Sequence, residues 1–87
     1  MIATQKIEVI QTSQSRLKEV NWEDLGFGKI FSDHMVVIEY RDGQWGNAQI
    51  RPYGTMQFSP AISALHYGQA IFEGLKAFKS ANDEVFI

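Results

Sequence analysis

The stretch Met35-Val36-Val37-Ile38-Glu39-Tyr40-Arg41-Asp42-Gly43-Gln44-Trp45-Gly46-Asn47-Ala48-Gln49-Ile50 decides the fold. Met35 to Tyr40 is rich in β-branched and aromatic side chains, which suit a pleated, half-buried surface, so it reads as a strand. Asp42-Gly43 then supplies the pair of positive φ angles that a tight hairpin turn requires. The chain returns along Gln44 to Ile50, with Gly46 marking a bulge or a close approach of backbone. An antiparallel sheet is therefore the nucleus of the architecture.

Working outward, Pro52-Tyr53-Gly54 marks a turn after the hairpin. Ser59-Pro60 can cap and begin a helix, and Ser63 is an equally good cap. Ile62, Leu65 and Phe72 fall near one helical face, and Gly74 suits the helix terminus. Leu75 to Lys79 reads as strand, Ser80 to Asp83 as turn, and Val85 to Ile87 as a further strand. Toward the N-terminus, Lys6 to Thr12 alternates weakly and forms a short edge strand. Arg16 to Asp24 is loop or a short helical turn. The expected fold class is α+β, an antiparallel β-sheet with a packed helix. Residues 1–24 form an N-terminal lead and residues 25–87 the domain proper.

The chain has 87 residues, 45% hydrophobic and 13% aromatic, which is one globular domain rather than a disordered segment. A domain of this size buries only about 60–65% of its unfolded surface and has a thin margin of stability. The formal net charge of −2 gives no electrostatic case for nucleic acid or an anionic membrane. With no cysteine, disulfides and thiolate metal sites are excluded. No apolar span reaches the ~20 residues that cross a bilayer, and Met1 to Glu8 lacks a signal-peptide pattern. A cytoplasmic protein is expected. The final Val85-Phe86-Ile87 would leave an apolar strand edge open, which points to a chain cut short.

Two runs carry a resemblance. Ala64-Leu65-His66-Tyr67-Gly68-Gln69-Ala70-Ile71-Phe72-Glu73-Gly74-Leu75-Lys76-Ala77-Phe78 and, upstream, Phe27-Gly28-Lys29-Ile30-Phe31-Ser32-Asp33-His34-Met35 closely resemble the N-terminal small domain of branched-chain amino acid aminotransferases. Those are fold-type-four enzymes that use pyridoxal phosphate (PLP). The resemblance covers Leu25 to Ile87. It implies transfer of an amino group between leucine, isoleucine or valine and 2-oxoglutarate, by a homodimer. Carried over position by position, Phe27, Tyr67 and Phe72 match the family's apolar substrate pocket. Gly74 matches the glycine whose backbone lies close to substrate, and Tyr67 the residue that reaches the partner subunit's active site.

Such a pocket suits its ligand. Branched aliphatic side chains offer no hydrogen bonds, so recognition rests on apolar contact at about 0.8 kcal/mol per methylene. That prefers a branched substrate over a small one without separating leucine sharply from isoleucine.

A PLP transaminase also needs a lysine for the cofactor aldehyde, a carboxylate for the pyridinium nitrogen and a phosphate cradle. Of the lysines Lys6, Lys18, Lys29, Lys76 and Lys79, none matches the family's cofactor lysine. The resemblance places that machinery beyond Ile87, so no residue here is expected to be catalytic or cofactor-binding, and the chain alone is expected to be inactive. His34 and His66 lack ligand-spaced partners and read as structural histidines bonding backbone, with no metal site. Gly26-Phe27-Gly28 has no preceding strand and no third glycine, so it is not a nucleotide loop. Two other readings remain: a stand-alone dimerisation or binding module, and a piece of a related PLP enzyme such as a D-amino acid aminotransferase or aminodeoxychorismate lyase.

Overall fold

The computed structural model describes residues 6–87, which form an α+β chain of seven short strands and one α-helix. Two compact units are distinguished, Met1–Thr55 and Met56–Ile87.

The first unit is built on a three-stranded sheet. Its strands are β1 (Ile7–Val9), β2 (His34–Val37) and, after the hairpin strands β3 (Tyr40–Arg41) and β4 (Gln44–Trp45), β5 (Ala48–Pro52). The order is β1-β5-β2. β2 runs antiparallel to β5 with Val36 opposite Ile50, but β1 lies parallel to it, with Ile7 opposite Ala48. The sheet is thus mixed, not wholly antiparallel, which corrects the expectation. A sequence pattern fixes which residues alternate, whereas strand direction depends on the route between strands. Here 41 residues separate paired positions such as Glu8 and Gln49, ample for a parallel return.

The turn is as the dipeptide requires: Asp42 and Gly43 have φ of 55° and 77°. The hairpin arms are interrupted at the place where Gly46 was read as a bulge or a close approach. Between the Val37–Gln49 and Tyr40–Trp45 pairs, residues 38–39 of one arm face 46–48 of the other. One residue too many on the return arm is a β-bulge. The Gly46 amide closes it by donating to the Glu39 carbonyl at 2.7 Å. A Cβ at Gly46 would meet that same oxygen at 3.4 Å, at the edge of ordinary contact, so Gly46 marks the bulge rather than an approach that only glycine allows.

Pro52, read as a turn residue, instead ends β5. The Tyr53 amide bonds the Asp33 carbonyl, so the nitrogen of Pro52 points to the opposite side of the strand. There β1 has already ended at Val9, and no ladder bond is lost.

Packing in this unit is shallow. All five β5 residues are half-buried, together with His34, Met35 and Val37 of β2, and none is fully buried. Aromatic contacts reinforce it. Phe31 stacks on Tyr53 at 4.9 Å between ring centroids, and Tyr40 meets Trp45 edge-on at 5.0 Å across the hairpin.

The second unit holds α1 (Ser63–Tyr67) and the hairpin of β6 (Phe78–Lys79) with β7 (Val85–Phe86). The helix is one turn long, and this corrects its expected span. Gly68 adopts the left-handed conformation at φ 61° and terminates it, so Phe72 lies on no helix face and Gly74 is not the terminus. Gly68 carried the stop signal six residues earlier. Ser63 is the first helical residue rather than a cap, while the Ser59 hydroxyl accepts the Ala61 amide in the preceding turn. The strand expected from Leu75 contracts to Phe78–Lys79. Its turn is organised by Ser80, whose Oγ accepts the amides of Asn82 and Glu84 at 3.2 Å each. Among the described residues α1 makes no contact with the β6–β7 hairpin, so the packed helix expected from sequence is not formed within this unit.

Large apolar side chains are left exposed in the second unit, among them Ile71 and Leu75.

Candidate functional site

Phe27 belongs to the first unit and sits between Gly26 and Gly28, both left-handed at φ 66° and 69°. Two such angles flanking one residue turn the backbone outward, and Phe27 is 98% exposed. Its neighbours Leu25 and Gly26 line a half-open apolar cavity of about 440 Å³, together with Leu17, Trp22, Ile30 and Phe31. Arg16 and Asp33 form its polar rim.

Tyr67, Phe72 and Gly74 belong to the second unit. Tyr67 ends α1 and is 79% exposed; Phe72, on irregular backbone, is 93% exposed, and Gly74 is exposed beside it. Within their units these side chains are presented to solvent rather than enclosed.

The polar groups converge elsewhere, around Asp33 and His34. Asp33 accepts the Ser15 hydroxyl at 2.6 Å and the Arg16 amide at 2.9 Å. Those two bonds, with a lesser contribution from the Arg16 charge, hold its carboxyl below the ordinary value of 3.8 against the opposing effect of desolvation. The Arg16 guanidinium donates to the Ser32 carbonyl at 3.0 Å and lies 5.9 Å over the Tyr53 ring. His34 Nε2 accepts the Thr12 amide at 3.0 Å, a structural histidine bonding backbone as its sequence setting implied. The Arg16–Tyr53–Phe31 stack had no sequence signal, because its members come from three separate stretches. Among the described residues no group of three His, Asp or Glu could hold a metal ion.

PLP fits these residues poorly. All five lysines are exposed, and Lys79 is engaged with Asp83 at 3.4 Å. Among the described residues no lysine lines the apolar cavity, and the one carboxylate on its wall, Asp33, is committed to Ser15 and Arg16. The described residues therefore assemble no aldehyde-binding lysine with an acidic partner and a phosphate cradle.

No family model matches the chain. Individual proteins do. A branched-chain-amino-acid aminotransferase of Mycolicibacterium smegmatis is 54% identical over 61 residues, 69% of this chain and 17% of that protein. One from Mycobacterium tuberculosis is 38% identical over 80 residues, 91% of this chain and 22% of its own. A probable branched-chain-amino-acid aminotransferase of Staphylococcus aureus is 47% identical over 76 residues, 85% and 20% respectively. The chain spans about a fifth of the length of these relatives, and over that span it is homologous to branched-chain-amino-acid aminotransferases.

Proposed function

We propose that this chain is the small-domain portion of a PLP-dependent branched-chain aminotransferase. The parent reaction is transfer of the amino group between L-leucine, L-isoleucine or L-valine and 2-oxoglutarate. The observation that carries the reading is identity of 38–54% to three such proteins over 61–80 residues. In this reading Phe27, Tyr67 and Phe72 supply apolar walls for the substrate side chain, and Gly74 lets backbone approach it. Tyr67 serves the partner subunit of a homodimer, and the protein works in the cytoplasm.

The exposure of these three aromatics supports their assignment to a wall completed by other protein. A side chain more than three-quarters exposed contributes little to packing its own unit. PLP would supply the electron sink for amino transfer, but this chain offers it no lysine in a suitable setting. In this reading the isolated chain is inactive, and its role is to shape a pocket.

Two experiments test this. The purified chain is incubated with PLP, reduced with borohydride and weighed, with a leucine/2-oxoglutarate turnover assay alongside. Neither a stoichiometric lysine adduct nor turnover is expected; an adduct with turnover would refute the inactive reading. Second, this chain replaces the matching segment of the Mycolicibacterium smegmatis protein. The chimera should transaminate leucine. A folded, PLP-loaded chimera devoid of activity would sink the assignment.

A further inference from the structure

We propose that His34 is a pH-sensitive latch that fastens the segment leaving β1 to the edge strand β2. The contact is the 3.0 Å hydrogen bond from the Thr12 amide to His34 Nε2, made between residues 22 apart in sequence. An imidazole nitrogen accepts a bond only through a lone pair, so His34 must be neutral there with its proton on Nδ1. Protonation puts an N–H on Nε2 facing the N–H of Thr12. Two donors then oppose each other, and the bond is lost together with its attraction.

The location gives this loss a structural effect. β1 is an edge strand held to β5 by a three-residue parallel ladder and by the Ile10 amide on the Ile50 carbonyl at 2.8 Å. Thr12 follows two residues later, so His34 is the first side-chain anchor met by the chain as it leaves the ladder. The next anchors, Ser15 and Arg16, go to Asp33 and Ser32 and involve no imidazole. Release is thus confined to Thr12 and the strand before it, while the segment stays tethered further on.

The charged groups around His34 are few. Asp33 adjoins it, Arg16 sits on the tethered lead, and from β5 Arg51 neighbours its register partner Pro52. The Ser32 hydroxyl bonds the His34 carbonyl at 2.6 Å and fixes the backbone beneath the ring. The device is independent of the aminotransferase reading.

Nitrogen-15 NMR of the full chain tests it between pH 8 and pH 5, the interval in which imidazoles change charge. At pH 8 the ring of His34 should carry its proton on Nδ1, the minority form of free histidine. The Thr12 amide should be protected against hydrogen exchange relative to its intrinsic rate. At pH 5 that protection should fall about fivefold or more, the loss expected for one hydrogen bond. His34→Gln offers an uncharged carbonyl acceptor, and its Thr12 protection should not change with pH. An Nε2–H ring at pH 8, an unprotected Thr12 amide at pH 8, or equal protection at both pH values would overturn the latch. So would a pH response in His34→Gln as large as that of the native chain.

Discussion

Asp33 reaches across 18 residues of sequence to accept the Ser15 hydroxyl at 2.6 Å, and the adjacent Arg16 amide bonds its other oxygen. Both oxygens serve one two-residue segment. The carboxylate does for the lead what an N-cap does for a helix, offering lone pairs to donors that would otherwise need water.

This arrangement sets an acid response. The folded pKa of Asp33 lies below the ordinary 3.8, chiefly through the Ser15 bond and then the Arg16 amide. Its contribution to stability is therefore complete above that ordinary value and is lost as pH falls through the lower folded one. Asp33→Asn should lower the urea midpoint at pH 7 and flatten the dependence between pH 4 and pH 2. A variant with the native acid profile would show that other carboxylates control it.

Two hairpin glycines should respond very unequally to the same change. Gly43 has φ of 77°, so Gly43→Ala should cost about 1–2 kcal/mol through left-handed backbone strain. Gly46 has no such angle, and a Cβ there meets only the Glu39 carbonyl at 3.4 Å. Gly46→Ala should change stability by no more than about 0.5 kcal/mol. Urea unfolding of both variants reads the difference directly.

In the second unit the Ser80 hydroxyl accepts two turn amides, those of Asn82 and Glu84. Ser80→Ala should loosen the β6–β7 hairpin by about 1 kcal/mol. Exchange rates for Ser80, Asn82 and Glu84 amides should rise, with those of the β2–β5 ladder unchanged. A uniform rise across the chain would mean that the units unfold as one.

Phe27 and Phe72 separate folding from function. At 98% and 93% exposure, their replacement by alanine should alter the stability of the chain by less than about 0.5 kcal/mol. In an active chimera with an aminotransferase relative, each should lower kcat/KM for leucine by about tenfold or more, the scale of lost apolar contact in a pocket. Unchanged leucine kinetics would remove them from the pocket.

What the sequence disclosed follows the range of the interactions concerned. The Asp42-Gly43 turn, the bulge at Gly46 and the short N-terminal strand rest on local backbone chemistry, and each was readable. The parallel docking of β1 on β5 was not, because alternation is the same in either direction. The helix was overextended because Ile62, Leu65 and Phe72 share an apolar period that Gly68 cuts short. The pocket residues were named by resemblance, since exposed aromatics on irregular backbone have no pattern of their own.

The parallel pairing of β1 with β5 has a consequence for the order of assembly. Ile7 to Val9 is synthesised well before the strand it needs, Ala48–Pro52. The β2–β5 hairpin can form locally as it emerges, whereas β1 must close a loop of 41 residues. That closure costs roughly 3 kcal/mol of chain entropy. β1 is thus made before β2 and β5 yet docks after them, arriving on a hairpin that is already built.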